Sequence, residues 1–391
     1  MNNNTITIRV SYLLTVFVSI LLVFIGHNIT VGNLRVLQEK PQEAVRAKVI
    51  KITDRVPPSN ELGELAPELG DNLIFEAVIT GGIRDGESVT ASQRVSGFFG
   101  IAAKEVGPGD SILLINFDNA WFFNGFFRSN KMLGLGMFFV LCVLIFGRRK
   151  GFNTILSLGL TCGAIFAVFI PAILSGVNIY FMSILICVYT TVMTLLIVIG
   201  YNRKALTAMI GCMSGIVVSG IVTVIMSRIL SLSGIIDEHS RYLASLPIQT
   251  QIDLKAVIFA GITIGAMGAI MDVAMSISSS MWEIKEKAAD INFKTLFHSG
   301  ITIGRDIMGT MANTLVLAYI GSSLSVVLIL SVYSNSLLSL FNSEMIIVEI
   351  LQALTGSLGI LFAMPLTAFF STVFYLKTKK NRVSGQSTTP P

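Results

Sequence analysis

Long apolar stretches with almost no ionisable residues recur between Leu133 and Leu376, and they constrain this chain more than any other feature. A helix needs roughly 20 apolar residues to cross a hydrocarbon core of about 30 Å. Charged residues make up 13% of the chain, whereas soluble domains carry about 25%. The pattern excludes a soluble globular or disordered chain, and it excludes a membrane β-barrel, whose strands alternate over roughly 10 residues. We therefore predict an all-α polytopic membrane bundle.

Eight segments are apolar enough to be predicted as membrane helices: 10–26, 132–147, 153–174, 178–199, 206–230, 256–278, 307–332 and 345–376. The first is interpreted as an uncleaved anchor, comprising residues 1–26, because no small-residue cleavage motif follows it. The other seven form a predicted membrane domain, 132–376.

Basic residues in short loops predict the orientation of these helices. They cluster on one side at 148–150, 203–204, 285–294 and in a basic tail, 377–391. This arrangement predicts that both termini are cytoplasmic and that residues 27–131 are extracytoplasmic. Since each basic cluster adjoins an apolar segment, we expect the bilayer and no nucleic acid as partner.

The segment 27–131 has a different composition from the rest of the chain. Short β-branched runs at 44–51, 73–80, 88–94 and 111–116 are separated by glycine-rich turns, which predicts a small β-rich domain between the first and second helices. The aromatic residues that follow suit the lipid headgroup region or a docking face beside the membrane. They are Trp121, Phe122, Phe123, Phe126 and Phe127.

Glycine, serine and one aspartate form a line along the helix predicted from 256. At 100° per residue they project within about 40° of one direction. The members are Gly261, Gly265, Gly268, Asp272, Ser276 and Ser279. Small residues allow close helix packing, and a charge at the bilayer centre costs at least about 2.5–3.5 kcal/mol. We therefore predict that this line faces protein or water.

The next predicted helix carries a second polar line, which consists of Asp306, Gly309, Thr310 and Asn313. Because consecutive spans are antiparallel, Asp272 and Asn313 are predicted to meet at one depth, about 10 Å below the surface. Arg305 is the expected counter-charge. Two interpretations stay open. The side chains form either a hydrogen-bonded clasp between two helices or the lining of an aqueous path for a cation, a proton or a small solute.

Motifs for nucleotide binding, zinc proteolysis and serine hydrolysis are absent from the sequence. The histidines are scattered, and the four cysteines lack metal-ligand spacing. We therefore predict no catalytic residue, no cofactor and no metal.

Two segments resemble the hallmark motifs of the YibE/F family of multi-pass bacterial membrane proteins. They are 268–280 (GAIMDVAMSISSS) and 304–319 (GRDIMGTMANTLVLAY). The resemblance covers roughly 130–376 and is weaker in the exterior segment, where the Gly107-Pro-Gly-Asp110 turn is similar. It implies a location in the bacterial cytoplasmic membrane and an eight-span layout, and it supplies no activity.

Three functional hypotheses follow. The first is a permease-like protein for a small ion or solute, supported by the polar lines and by Gly356, Gly359 and Pro365, which predict a kinked or broken last helix. The second is a non-enzymatic scaffold or envelope sensor that binds a membrane or envelope protein. The third is an intramembrane aspartyl protease using Asp272 and Asp306, which is disfavoured because the two carboxyls are predicted at different depths.

Overall fold

The structure is a computed structural model, and it describes residues 3–32, 44–56, 71–95, 97–98, 101–102, 104–245, 251–288, 290–333 and 336–383. The contacts within the chain divide it into two compact units. One comprises Leu37–Val143, and the other comprises Met1–Val36 together with Leu144–Pro391.

The first unit contains a small closed β-barrel. Its strands are β1 (Ala44–Val56), β2 (Asp71–Ile79), β3 (Ser88–Val95), β6 (Ser111–Phe117) and β7 (Ala120–Phe126), arranged in the order β1-β2-β3-β7-β6. All pairs are antiparallel except β3 with β7. A separate two-stranded sheet joins β4 (Gly97–Phe98) to β5 (Ile101–Ala102). The predicted β-rich segment is therefore a barrel.

Every second side chain of the strands points into the barrel and fills its interior. On β2, every second residue from Leu73 to Ile79 is buried, and β3 repeats the pattern. The one polar side chain in this row, Gln93, is satisfied. Its amide Nε2 donates to the Lys104 carbonyl at 3.0 Å, and its Oε1 accepts from the Val106 N–H at 2.9 Å. These two hydrogen bonds attach the segment before β6 to the barrel.

Most of the aromatic run after β6 belongs to the barrel as strand β7, which the sequence did not predict as a strand. Asp118 and Asn119 have φ of 49° and 64°. Two consecutive residues with positive φ form a tight turn between antiparallel strands, and here the turn joins β6 to β7. Trp121 and Phe123 pack against the barrel core, because alternate side chains of a strand point to the same face. Phe126 packs there too, because the register shift opposite Leu113 and Leu114 inserts an extra residue into β7.

The second unit is helical. Its helices are α1 (Asn3–Gly32), α2 (Ser129–Ala164, which begins in the first unit), α3 (Ile170–Leu174), α4 (Ile179–Val198), α5 (Arg203–Ile229), α6 (Glu238–Ser245), α7 (Leu254–Lys287), α8 (Phe293–Ser322), α9 (Leu324–Tyr333), α10 (Leu337–Phe341) and α11 (Glu344–Val383). A π-helical turn, Ile165–Phe169, joins α2 to α3.

Polar side chains cap the starts of α4, α5, α7 and α8, because the first backbone N–H groups of a helix have no partner within it. Side-chain oxygens of Asn178, Asn202, Asp253 and Asn292 accept from the N–H groups at the starts of α4, α5, α7 and α8. The loops between apolar spans thus supply the residues that define the helix starts.

Six helices within the described residues are long and apolar enough to cross a membrane: Ser11–Thr30, Ser129–Leu174, Ile179–Val198, Arg203–Ile229, Leu254–Lys287 and Glu344–Lys377. The predicted count of eight is not confirmed. Two predicted spans fall in Ser129–Leu174, where Arg148 interrupts the helix with φ 48° and ψ −125°. The span predicted at 307–332 is divided between α8, which is too polar, and α9, which is only about 15 Å long.

The core of the bundle is formed by α5, α7, α8 and α11. Its fully buried side chains include Ile270 and Ile277 of α7 and Tyr375 of α11. Helix α11 is continuous through Pro365 as far as residue 383, so the predicted break in this helix is not found. Residues 384–391 of the predicted basic tail lie outside the described part of the chain.

Glycines bring the helix backbones of this core close together. A Cβ placed on Gly215 of α5 would lie 2.7 Å from the carbonyl oxygen of Gly359 on α11. On α8, a Cβ on Gly300 would lie 2.5 Å from the Met281 sulfur of α7, and Gly304 contacts Ile277 and Met364. These positions need glycine because a side chain would force the helices apart.

Candidate functional site

The line that includes Asp272 lies on the surface of α7. Gly261, Gly265, Gly268 and Asp272 are exposed, and Ser276 and Ser279 are half-buried. Ile270, which is fully buried, points the opposite way, since two residues along a helix turn by about 200°. The small and polar residues of α7 therefore face away from the bundle core.

The second line has the same orientation on α8. Arg305, Asp306, Gly309, Thr310 and Asn313 are all exposed. The buried residues of this helix are Leu296, Gly300, Gly304 and Leu315, which lie on its other side. We call the residues of these two lines the polar face. It runs from Gly261 to Ser279 on α7 and from Arg305 to Asn313 on α8.

The two lines do not come together as the sequence predicts. Within the described part of the chain, no hydrogen bond or ion pair joins Asp272, Asn313, Arg305 and Asp306 to one another. A Cβ added to Gly261, Gly268 or Gly309 would meet no atom within 4 Å. Helices α7 and α8 instead contact through Gly300 and Gly304. The predicted clasp is therefore absent, because these helices pack through the opposite sides of their surfaces.

Gly265 is the exception in the α7 line. A Cβ at this position would lie 2.9 Å from the Tyr319 hydroxyl of α8 and 3.7 Å from the Gln352 amide of α11. The tyrosine hydroxyl is buried without a hydrogen-bond partner in the described structure. One end of the polar face therefore borders a small polar junction between three helices.

The positions of the two carboxylates along their helices also differ from the prediction. Asp272 lies about 27 Å from the start of α7 and about 22 Å from its end. Asp306 lies about 20 Å inside α8, because that helix begins at Phe293 and not at the predicted 307. Both carboxylates are thus near the middle of long helices. Because α7 is a membrane-length helix and hydrocarbon cannot solvate a carboxylate, Asp272 requires water or protein against it.

A second polar cluster lies inside the bundle, and it was not predicted. The hydroxyls of Thr207, Ser278 and Tyr375 lie 2.7–2.9 Å apart, and all three side chains are almost fully buried. The Ser278 hydroxyl also donates to the Lys204 carbonyl at 2.8 Å. The Trp282 ring packs edge-on against Tyr375 at 4.9 Å. Isolated hydroxyl residues are common in membrane helices, so no sequence signal distinguished these three.

The cluster connects α5, α7 and α11 at one end of the bundle. Each hydroxyl has its partners inside the protein, which is the requirement for burying polar groups. The hydroxyl cluster therefore stabilises the packing of these three helices. The side chains of the polar face, in contrast, are exposed to water or to another molecule.

Several apolar membrane-length helices with mid-helix acids on an exposed face define this protein as a multi-pass membrane protein. The chain belongs to the YibE/F-like protein family, whose family model matches residues 135–377, more than half of the sequence. This match confirms the resemblance carried by the segments 268–280 and 304–319, and the barrel precedes it. No curated protein and no solved structure matches the chain.

Proposed function

We propose that this protein is a permease-type membrane protein in which the polar face guides a small ion or solute across the bilayer. The observation that carries the proposal is the position of Asp272 near the middle of α7, on a side chain that is exposed rather than buried. Ionisable residues at such depth are costly, and they characteristically line the pathways of ions, protons and solutes.

The composition of the polar face favours a cation or a polar neutral solute. Asp272 and Asp306 contribute carboxylates, and Thr310 and Asn313 contribute neutral donors and acceptors. Arg305 is the one cation among the exposed residues of the two lines. The glycines leave open space beside these groups, so a hydrated ligand has room to pass close to the backbone.

Transport in proteoliposomes tests this proposal. The purified protein is reconstituted, and the flux of a panel of monovalent and divalent cations, protons and small metabolites is measured. We expect flux of at least one member above that of protein-free vesicles. Asp272→Asn is expected to lower that flux at least tenfold, because the amide keeps the shape of the side chain and loses its charge.

Glu283→Gln is the matched control, since Glu283 is an exposed acid of the same helix that lies about 16 Å beyond Asp272 along the axis and pairs with Lys287 at 3.3 Å. It is expected to transport as wild type does. Equal flux through wild-type and Asp272→Asn vesicles refutes the proposal, as does the absence of flux for every member of the panel.

A second candidate is a membrane scaffold, and the outward direction of the polar face favours it. In this case another membrane protein covers the face, and the barrel binds an envelope component. A photocrosslinking residue at Gly309 is then expected to capture a polypeptide in native membranes, whereas one at Phe166, whose side chain is 69% exposed on an apolar surface, captures lipid. Lipid capture at both positions argues against the scaffold.

The proposed orientation has cytoplasmic termini and an extracytoplasmic barrel, in a bacterial cytoplasmic membrane. It is supported by Arg149 and Lys150, beside the interruption of α2 at Arg148, and by Arg203 and Lys204 at the start of α5, because this orientation places both pairs on one side. Labelling of Ile83→Cys in intact cells by a membrane-impermeant thiol reagent tests it, because Ile83 is fully exposed on the barrel. Labelling only after lysis contradicts the orientation.

A further inference from the structure

An apolar cavity of about 390 Å³ lies between α4, α5 and α7. Ile184, Val217, Ile221, Phe259 and Thr263 are among its lining residues, and Val217 and Ile221 are more than half exposed on the outer surface of the bundle. Gly220 makes room for it, since a Cβ there would lie 3.2 Å from the Phe259 ring. The cavity therefore opens on the outer, apolar surface of the bundle.

A second cavity of about 440 Å³ continues from the first towards the end of α5 and the start of α7. The two share Tyr180, Val224 and Phe259 as lining residues. The second adds Ser227, Arg228 and Lys255, so the combined groove has an apolar interior and a cationic end.

The two cations at this end have no carboxylate partner in the described part of the chain. Arg228 and Lys255 are exposed, and no ion pair is formed by either. Asp253 is the nearby acid, and its carboxylate caps α7 by accepting from the Lys255 and Ala256 N–H groups at 3.0 and 3.2 Å. The positive charge of the side chains thus faces the groove without a fixed counter-ion.

These cations are also separate from the basic clusters that predict topology. Arg203 and Lys204 lie at the opposite end of α5, about 37 Å from Arg228 along the helix. The basic pair is suited to the anionic headgroup of a lipid, and the apolar groove beside it is suited to an acyl chain.

We infer that this groove is a binding site for an anionic phospholipid of the surrounding bilayer. The lipid phosphate lies between Arg228 and Lys255, with the Ser227 and Tyr180 hydroxyls as further donors. One acyl chain extends into the apolar cavity between Ile184 and Ile221. The site is on a different surface from the polar face and does not depend on the proposed transport activity.

Native mass spectrometry of the full-length protein in detergent tests the inference. The protein is titrated with phosphatidylglycerol and with phosphatidylcholine that has identical acyl chains. We expect wild-type protein to retain the anionic lipid at least fivefold more strongly. The double variant Arg228→Gln/Lys255→Gln is expected to reduce this preference to less than twofold.

Arg149→Gln/Lys150→Gln is the matched control, because it removes two exposed cations from another part of the chain. It is expected to keep the preference. An unchanged preference in the Arg228→Gln/Lys255→Gln variant overturns the site, as does an equal loss in the control.

Two further measurements test the apolar half of the site. Val217→Trp places an indole in the apolar cavity from an exposed position, and Ile184→Trp is a second variant of the same kind. Both are expected to lower phosphatidylglycerol binding at least threefold, and unchanged binding in both overturns the placement of the acyl chain. Competition by glycerol phosphate at millimolar concentration distinguishes a site for a phospholipid from a site for a soluble phosphate anion. Displacement of the lipid by this headgroup analogue alone overturns the lipid assignment.

Discussion

The substitutions Gly215→Ala and Gly268→Ala form a matched pair that tests how the helices of this bundle pack. Both glycines lie inside long helices, and both belong to lines of small residues. Gly215 is buried between α5 and α11, whereas Gly268 is exposed on the polar face of α7. The same added methyl group therefore enters a crowded contact in one case and open space in the other.

The expected magnitudes follow from the neighbours of that methyl group. At Gly215 it would lie 2.7 Å from the Gly359 carbonyl oxygen, 2.7 Å from Ile270 Cγ2 and 2.8 Å from Ala363 Cβ. The oxygen belongs to a backbone that cannot rotate away, so overpacking costs about 1–3 kcal/mol. At Gly268 nothing lies within 4 Å. Alanine gains about 0.8–1.0 kcal/mol of helix propensity over glycine at either position, so this gain cancels in the comparison.

The assay is reversible unfolding of the purified protein in mixed detergent micelles, followed by circular dichroism. We expect Gly215→Ala to be less stable than Gly268→Ala by about 1–3 kcal/mol, and Gly268→Ala to be at least as stable as wild type. If the two variants are equally stable, or if Gly268→Ala is the less stable one, the assignment of the packed and exposed glycine lines is wrong.

Two other predictions concern polar groups. Tyr375→Phe removes a buried hydroxyl that hydrogen-bonds to Thr207 and Ser278. Because those two hydroxyls keep each other as partners, we expect a loss of about 0.5–1.5 kcal/mol in the same unfolding assay. The fully exposed Tyr201 is the control, and equal stability of Tyr375→Phe and Tyr201→Phe contradicts the role of the cluster. In the loop before α6, the Ser240 N–H donates to the Asp237 carboxylate at 2.7 Å and lowers the pKa of that carboxyl. This contact stabilises the loop above the ordinary aspartate pKa and is lost as the pH falls through the lowered value. A carboxyl NMR titration with a midpoint at or above about 3.9 contradicts it.

Local sequence patterns predicted the class of the fold and most of the barrel. Strands β1, β2, β3 and β6 lie where the β-branched runs and glycine turns indicated, because alternation and turn residues are local signals. The strand β7 was assigned to the membrane interface, since an aromatic run fits a headgroup region as well as a barrel. Its parallel pairing with β3 makes it part of the barrel, and that pairing joins residues about 30 positions apart.

In the helical unit, the sequence predicted which segments form helices better than it predicted where those helices are interrupted. Apolar length predicted the helices α1, α2, α4, α5, α7 and α11, and the two motifs predicted the family. The predicted number of eight spans is not confirmed. The non-helical Arg148 lies between the predicted spans 132–147 and 153–174, which the structure joins in one range, whereas the separation of α8 from α9 at Ser323 was not predicted. These boundaries depend on backbone conformation.

The sequence by itself determined that the chain enters a membrane, that a small β-rich domain interrupts the helices, and that Asp272, Asp306 and Asn313 share faces with glycines. Only the tertiary structure decided which glycine face packs. Gly211 and Gly215 contact α11, and Gly300 and Gly304 contact α7 and α11, while Gly261, Gly268 and Gly309 meet open space. The physical reason is that helical periodicity specifies which residues share a face but not what lies opposite. Lipid tails are as apolar as the neighbouring helices, so hydrophobicity does not orient these helices as it does in water.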